Sequence, residues 1–247
     1  MKTSTKISHK ENVSNLNVLI ARIGTFGESY NPSNLLLKVS SLKTISTNGQ
    51  NANAAVDAAE VIKKNAQSAR SLSFDGLDPL VDRSINALKI SGASAQTIDQ
   101  AKAIARDIHG RRASEIVKPD AVEAAKLEGI AVRQVVKHIA DFNTRANNMS
   151  TYALFINSVA EYKPNETDIS KTGLTAKSVE LNAKNADILT AETEHDNTIL
   201  NRNSILYFND DNLVDIGLNT KLYVKSAYGS SSVQYKQISG LIFRKLA

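Results

Sequence analysis

The chain has 247 residues, 42% hydrophobic, 22% charged and 5% aromatic, with no cysteine and no tryptophan. This length and apolar share describe a globular chain that buries a core without covalent staples, and they exclude wholesale disorder. The lack of cysteine removes disulfide frameworks, thiolate zinc sites and cysteine nucleophiles together.

No stretch approaches the roughly 18 unbroken apolar residues of a membrane-spanning helix. The opening run Met1 to Lys10 carries basic residues without the apolar core of a secretory signal, so a cytoplasmic location is expected. The formal net charge is +5, and residues 1–118 hold 16 basic against 10 acidic residues where residues 119–247 hold 14 against 15. A basic first half is compatible with phosphate contact. Apart from Lys63-Lys64, Arg111-Arg112 and Arg244-Lys245, however, the positive residues are dispersed among acids, as on an ordinary solvated surface.

In chain order, Leu16, Leu19, Ile20, Ile23 and Phe26 predict a first helix behind Ser14 as cap, ended by Gly27 and the corner Tyr30-Asn31-Pro32. A long second helix follows, with Leu35, Val39, Leu42, Ile45, Ala52, Val56, Ala59, Ile62, Ala66 and Ala69 on one stripe. Its middle, Thr44 to Asn53, is rich in poor helix formers, so helix there depends on tertiary packing or breaks. Asp78 as cap and Pro79 in the first turn predict a third helix that buries Leu77, Val81, Ile85 and Leu88 and closes at Gly92. Ser94 then caps a fourth helix carrying Ile98, Ala101, Ile104 and Ile108 as far as Gly110.

Pro119-Asp120-Ala121-Val122-Glu123 reads as a capping box. The stripe Val122, Ala125, Val132, Val136, Ile139, Ala146, Met149, Ala153 and Ile156 then predicts one helix of about forty residues, roughly 60 Å long. It ends at Tyr162-Lys163-Pro164. A second long helix follows, then one begun by Asp211 or Asn212, then a short one capped by Ser231 or Ser232 and ended by Gly240. Leu241-Ile242-Phe243 alone reads as extended, which cannot make a sheet.

These elements come in two similar series. At an offset of 132 residues, Tyr30-Asn31-Pro32 meets Tyr162-Lys163-Pro164, Leu42 meets Leu174, Asn53-Ala54 meets Asn185-Ala186, Asn65 meets Asn197 and Arg70 meets Arg202. After one inserted residue Leu80-Val81-Asp82 meets Leu213-Val214-Asp215, and after four more Gly92 meets Gly229 and Gln100 meets Gln237. The collinearity predicts two copies of one unit, about 12–110 and 145–240. The fold class expected is therefore all-α: two tandem helical-bundle repeats sharing a long central helix, divided as 1–118 and 119–247.

Reactive constellations are scarce. There is no glycine-rich phosphate loop, G-x-S-x-G elbow or H-E-x-x-H, and His9, His109, His138 and His195 stand far apart. Glu192, Glu194, His195 and Asp196 are the nearest approach to a metal pattern, with one E-x-x-H where a carboxylate bundle wants two. Asp82 and Asp215 suit the first turn of a helix, where negative charge meets the dipole. Arg70 and Arg202, near the ends of the long helices, are expected to pair with Asp82 and Asp215. Tyr30 and Tyr162 are expected to anchor the corners at Pro32 and Pro164. Tyr223, Tyr228 and Tyr235 beside Lys221, Lys225 and Lys236 form the one pattern suited to base stacking.

The opening Ile20-Ala21-Arg22-Ile23-Gly24-Thr25-Phe26-Gly27 with Tyr30-Asn31-Pro32, and the closing Leu213-Val214-Asp215, Tyr223-Val224-Lys225-Ser226, Gly229 and Tyr235-Lys236-Gln237-Ile238-Ser239-Gly240-Leu241, resemble uncharacterised all-helical proteins of Bacteroidota. The resemblance implies a helical fold and a bacterial origin, and carries no site residue. The function expected is a non-enzymatic interaction or scaffold protein that binds protein and forms a homo-oligomer, without cofactor or metal. Nucleic-acid binding by the basic first half is the alternative, followed by a metal-carboxylate bundle enzyme.

Overall fold

A computed structural model describes residues 9–110 and 141–246. Among them every regular element is a helix. Helix α1 is His9–Gly24, α2 Val39–Phe74, α3 Leu77–Ile90, α4 Ala95–His109, α5 Phe142–Ser158, α6 Lys171–Asn203, α7 Leu213–Tyr228 and α8 Val233–Ser239. Short 3-10 turns at Gly27–Ser29 and Leu35–Leu37 shape the first corner, and a π-helical turn, Ser204–Phe208, ends α6.

Several ends fall where local chemistry puts them. The side chains of Ser94, Asn212 and Ser232 accept from the amides of Thr97, Asp215 and Tyr235, and Gly110 closes α4 in the left-handed region at φ 63°. Other ends differ from expectation. Helix α1 starts at His9, so Ser14 is an exposed interior residue rather than its cap. Helix α3 starts after Gly76 at φ 73°, and Asp78 sits in its first turn with its carboxylate turned to other helices.

Asp141 is extended and its carboxylate accepts from the amide of Thr144, so α5 begins there with its own cap. The forty-residue helix expected from Pro119 is therefore interrupted at Asp141. Its earlier part, with the capping box at Asp120 and Glu123, lies outside the described residues.

The Ser- and Asn-rich centre of α2 is unbroken helix because packing holds it. Ser46 is 3% exposed and its hydroxyl donates to Asn17 Oδ1 at 2.5 Å. Gly49 has no room for a side chain: a Cβ there would lie 2.8 Å from Leu213 Cδ1 and 3.1 Å from Val13 Cγ2. A residue that weakens an isolated helix is here the one that lets two others approach it.

The chain forms two compact units, the first Met1–Lys64 with Ala191–Ala247 and the second Asn65–Thr190. The first core gathers Val13, Leu16, Leu19 and Ile23 of α1, Leu42 of α2, and Leu213, Ile216 and Val224 of α7. The second gathers Leu77, Val81 and Leu88 of α3, Ala105 and Ile108 of α4, Met149, Tyr152 and Ile156 of α5, and Leu174 and Leu181 of α6. The first core thus joins helices from the two ends of the described chain, and the second joins those between them.

Candidate functional site

The two corner tyrosines have matching surroundings. Tyr30 donates its hydroxyl to the carbonyl of Leu37 at 2.7 Å, and Tyr162 donates to the carbonyl of Ile169 at 2.7 Å, each seven residues on. Both rings are buried, at 9% and 1% exposure. Burial pushes the Tyr162 phenol up to about 12, opposed by the Ser84 hydroxyl, and pushes Tyr30 higher still. Pro32 is buried and Pro164 half-buried beside them. A buried phenol bonded to the main-chain carbonyl seven residues on clamps the corner.

The acids and arginines are placed differently from expectation, because Arg70 does not pair with Asp82, nor Arg202 with Asp215. Arg70 lies over the Phe142 ring, 4.4 Å from its centroid, and Arg202 donates through Nε and Nη2 to Asn203 Oδ1. Asp82 Oδ1 instead receives His109 Nε2 at 3.1 Å, and Asp215 Oδ1 receives Lys245 Nζ at 2.6 Å. Lys245, seconded by Asn212, holds the Asp215 carboxyl below the ordinary carboxylate range. Asp82 and Asp215 therefore tie down the segments that follow, α4 in one unit and the chain's end in the other.

Around His109 the second unit assembles a charged node. Asp78 Oδ1 accepts from Arg145 Nη2 at 2.5 Å, and Arg145 Nε donates to the carbonyl of Ile108 at 2.9 Å. The His109 side chain is 3% exposed, and its Nδ1 lies 3.1 Å from Asp78 Oδ1 without hydrogen-bonding geometry. Arg70 Nε and Asn185 Oδ1 are the other buried side-chain atoms that lack a partner among the described residues. Arg70 and Asn185 both meet Phe142, one over its ring and the other donating through Nδ2 to its main-chain carbonyl at 3.2 Å, and the Phe142 ring in turn meets Phe74 edge to face at 4.8 Å. Such atoms are usual places for ordered water.

The acidic stretch of α6 does not assemble. His195 Nε2 lies 3.0 Å from Glu60 Oε2 and its Nδ1 3.2 Å from Lys63 Nζ, while Glu192 and Glu194 are exposed. Among the described residues no group of three His, Cys, Asp or Glu side chains is placed to hold a metal ion. The tyrosines near the chain's end are engaged inside the first unit. Tyr223 meets Tyr30 edge to face at 5.3 Å, the Tyr228 hydroxyl lies 2.9 Å from Ser29 Oγ, and Lys225 stands over Tyr235.

A shallow groove lies in each unit. In the second, a space of about 450 Å³ is lined by Arg83 and Asp168, bridged at 2.5 Å, and by Lys177 and Glu180, bridged at 3.0 Å. In the first, about 330 Å³ lie between α1 and α2, rimmed by Lys10 and Asp57 at 2.6 Å. Neither groove gathers a nucleophile with a base, so the chemistry they present is that of charged and amide surfaces.

The residues that reasoning from sequence passed over are those that hold an extended segment. Leu241 to Leu246 follows Gly240 as a strap against α1 and α7. Asn12, 2% exposed, donates to the carbonyl of Arg244 at 2.9 Å and accepts from its amide at 3.0 Å. Asn15 donates to the carbonyl of Ile242 at 2.8 Å, and Lys221 to that of Leu241 at 2.5 Å. Gly217 makes the slot for Phe243: a Cβ on it would lie 2.6 Å from the ring. Asparagines on an apolar helix face were the available signal. Comparison with known proteins finds no family model, no curated protein and no solved structure that matches.

Proposed function

We propose that the chain is a non-enzymatic helical scaffold, acting in the bacterial cytoplasm, that binds protein and assembles with copies of itself. The observation that carries this reading is the apolar surface left on the two longest helices. Val61, Ile62 and Leu72 of α2 are 56%, 58% and 70% exposed, and Val179, Leu189 and Leu200 of α6 are 64%, 67% and 67% exposed. Val61, Ile62 and Leu200 belong to the first unit and Leu72, Val179 and Leu189 to the second, so each unit carries its own share of this surface. Recurrent apolar residues on an exposed helix face mark an interaction surface.

Descent from a duplicated helical unit fits this reading. The matched tyrosine clamps support it, as does the sharing of each core between the two sequence copies. The resemblance to helical Bacteroidota proteins is consistent with the same origin.

Light scattering on the purified chain tests the assembly. Oligomers are expected that Leu72→Glu and Leu200→Glu convert to monomers with unchanged helicity. A strictly monomeric chain at high concentration overturns the proposal. The basic first half leaves nucleic acid as a second reading, whose mark is retardation of DNA or RNA at low salt that disappears steeply as salt rises.

A further inference from the structure

We infer that the C-terminal strap is an exchangeable docking segment: the cleft that holds Leu241 to Leu246 takes the same segment from a second copy of the chain. This deepens the self-assembly reading and rests on it in having two copies meet.

The cleft is built to receive an extended peptide. A strand normally satisfies its amides and carbonyls in a ladder with another strand. Here side chains of α1 and α7 do so instead. The Asn12 carboxamide bonds both main-chain groups of Arg244, as a neighbouring strand would, and Asn15 and Lys221 take the carbonyls of Ile242 and Leu241. These contacts read the main chain and are indifferent to sequence. Selectivity comes from two further points, the Phe243 ring in the slot left by Gly217 and Lys245 on Asp215. Phe243 is 7% exposed while its neighbour Ile242 is 54% exposed, the alternation of a docked strand.

Two features make the segment transferable. It follows α8, a helix of seven residues, through Gly240. Asn12, Asn15, Asp215, Gly217 and Lys221, which hold it, lie on α1 or α7, which a second copy presents identically, so exchange needs no new contact. In cis the segment competes at the effective concentration of a short tether, in the millimolar range. Exchange therefore grows with protein concentration and is favoured where copies are already held together.

The chain has no cysteine of its own, so single cysteines report the partner directly. Full-length Asn15→Cys and Ile242→Cys proteins are mixed at high concentration and treated with a short bis-maleimide cross-linker. The expected result is a species of twice the chain mass, several-fold stronger in the mixture than with either variant alone. Adding Phe243→Ala to the Ile242→Cys chain should reduce it about tenfold. A mixture no different from the single variants overturns the inference, provided the double variant Asn15→Cys with Ile242→Cys closes within one chain and so proves the cleft formed. Repeating the mixture on Leu72→Glu chains separates the two readings. Cross-linking that persists after the helix-face oligomer is lost leaves the strap standing alone, whereas oligomers without cross-linking remove it.

Discussion

The two compact units solve one packing problem with different materials. In the first unit α1 packs against α7; in the second α5 packs chiefly against α4 and reaches α3 where the Tyr152 hydroxyl meets that of Ser84. In each, a hydroxyl is sealed at the centre of a helix, α3 or α7: Ser84 and Thr220, both 0% exposed, bond the carbonyls of Val81 and Ile216. Both also anchor the segment that completes the unit through the opening helix, Arg145 onto the carbonyl of Ile108 and Asn12 onto that of Arg244. The completing segments differ. The second unit uses a full helix, α4, tied at His109 to Asp82 of α3, whereas the first uses a short α8 and an extended strap held by amides. A helix satisfies its own main chain; an extended segment must have that done for it, which is why buried asparagine appears on α1 and arginine on α5.

The strongest test of this comparison is at the start of the two long helices. Gly173 lies against its own corner: a Cβ there would be 2.2 Å from the carbonyl oxygen of Thr167 and 2.6 Å from that of Asp168. At the corresponding place near the start of α2, Ser41 carries a side chain that donates to the carbonyl of Leu35 at 2.8 Å. Gly173→Ala should cost about 3 kcal/mol through overpacking against main chain, and Ser41→Ala about 1 kcal/mol for one partly exposed hydrogen bond. Urea unfolding of the two variants checks the order, and equal losses would break the asymmetry.

Next in size are the anchors. Arg145→Ala and Asn12→Ala each strand main-chain carbonyls, and Arg145→Ala also strands Asp78, for about 2 kcal/mol apiece. Hydrogen exchange should place the loss in α4 for the first and in the strap for the second. Protection lost equally throughout would show that the anchors are not local.

The corner clamps sharpen the likeness rather than the difference. Tyr30→Phe and Tyr162→Phe should each cost about 1 to 2 kcal/mol, since a buried carbonyl loses its partner. Because both phenols have raised folded values, the stability they confer is present below pH 10, the ordinary tyrosine value, and is lost as pH rises through the folded ones. Alkaline unfolding that begins no earlier in the variants than in the parent supports the shared role.

The smallest effect is a titration confined to one unit. His9 and Tyr207 meet edge to face at 5.7 Å where the second unit has Phe142 and Phe74. Burial, helped by Arg202, lowers the His9 imidazole below its ordinary 6.5. The unfolded chain then takes up the proton first, so stability is lost as pH falls from 6.5 toward the folded value and is unaffected above it. His9→Phe, the residue type of the other unit, should remove that acid-side loss, read as the difference from the parent chain between pH 7 and 5.

Much of this was legible locally. The caps Ser94, Asn212 and Ser232, the stop at Gly110 and the corner tyrosines follow from short-range rules, because their partners are within a turn or seven residues. The register of the third helix was harder. Burial pairs Leu77 with Leu213, Ser84 with Thr220 and Leu88 with Val224, three residues from the alignment that sets Asp82 beside Asp215. A slip of three is nearly one helical turn and keeps the apolar phase, so periodicity cannot detect it. Ser14 and Asp78 failed as caps for a related reason: a competent side chain does not cap unless the helix starts there.

By itself the sequence determined that the described residues are helical and where most of their helices stop. Those properties depend on neighbours along the chain, through hydrogen bonds of four residues' reach and apolar stripes of fixed period. Tertiary structure alone decided which helices share a core, which partner each of Asp82, Arg70, Asp215 and Arg202 finds, and that Leu241 to Leu246 lie in a cleft lined by Asn12, Asn15 and Gly217. Pairing between distant segments is set by which surfaces fit once helices exist, and a glycine or an asparagine on a helix face takes its meaning only from what arrives opposite it.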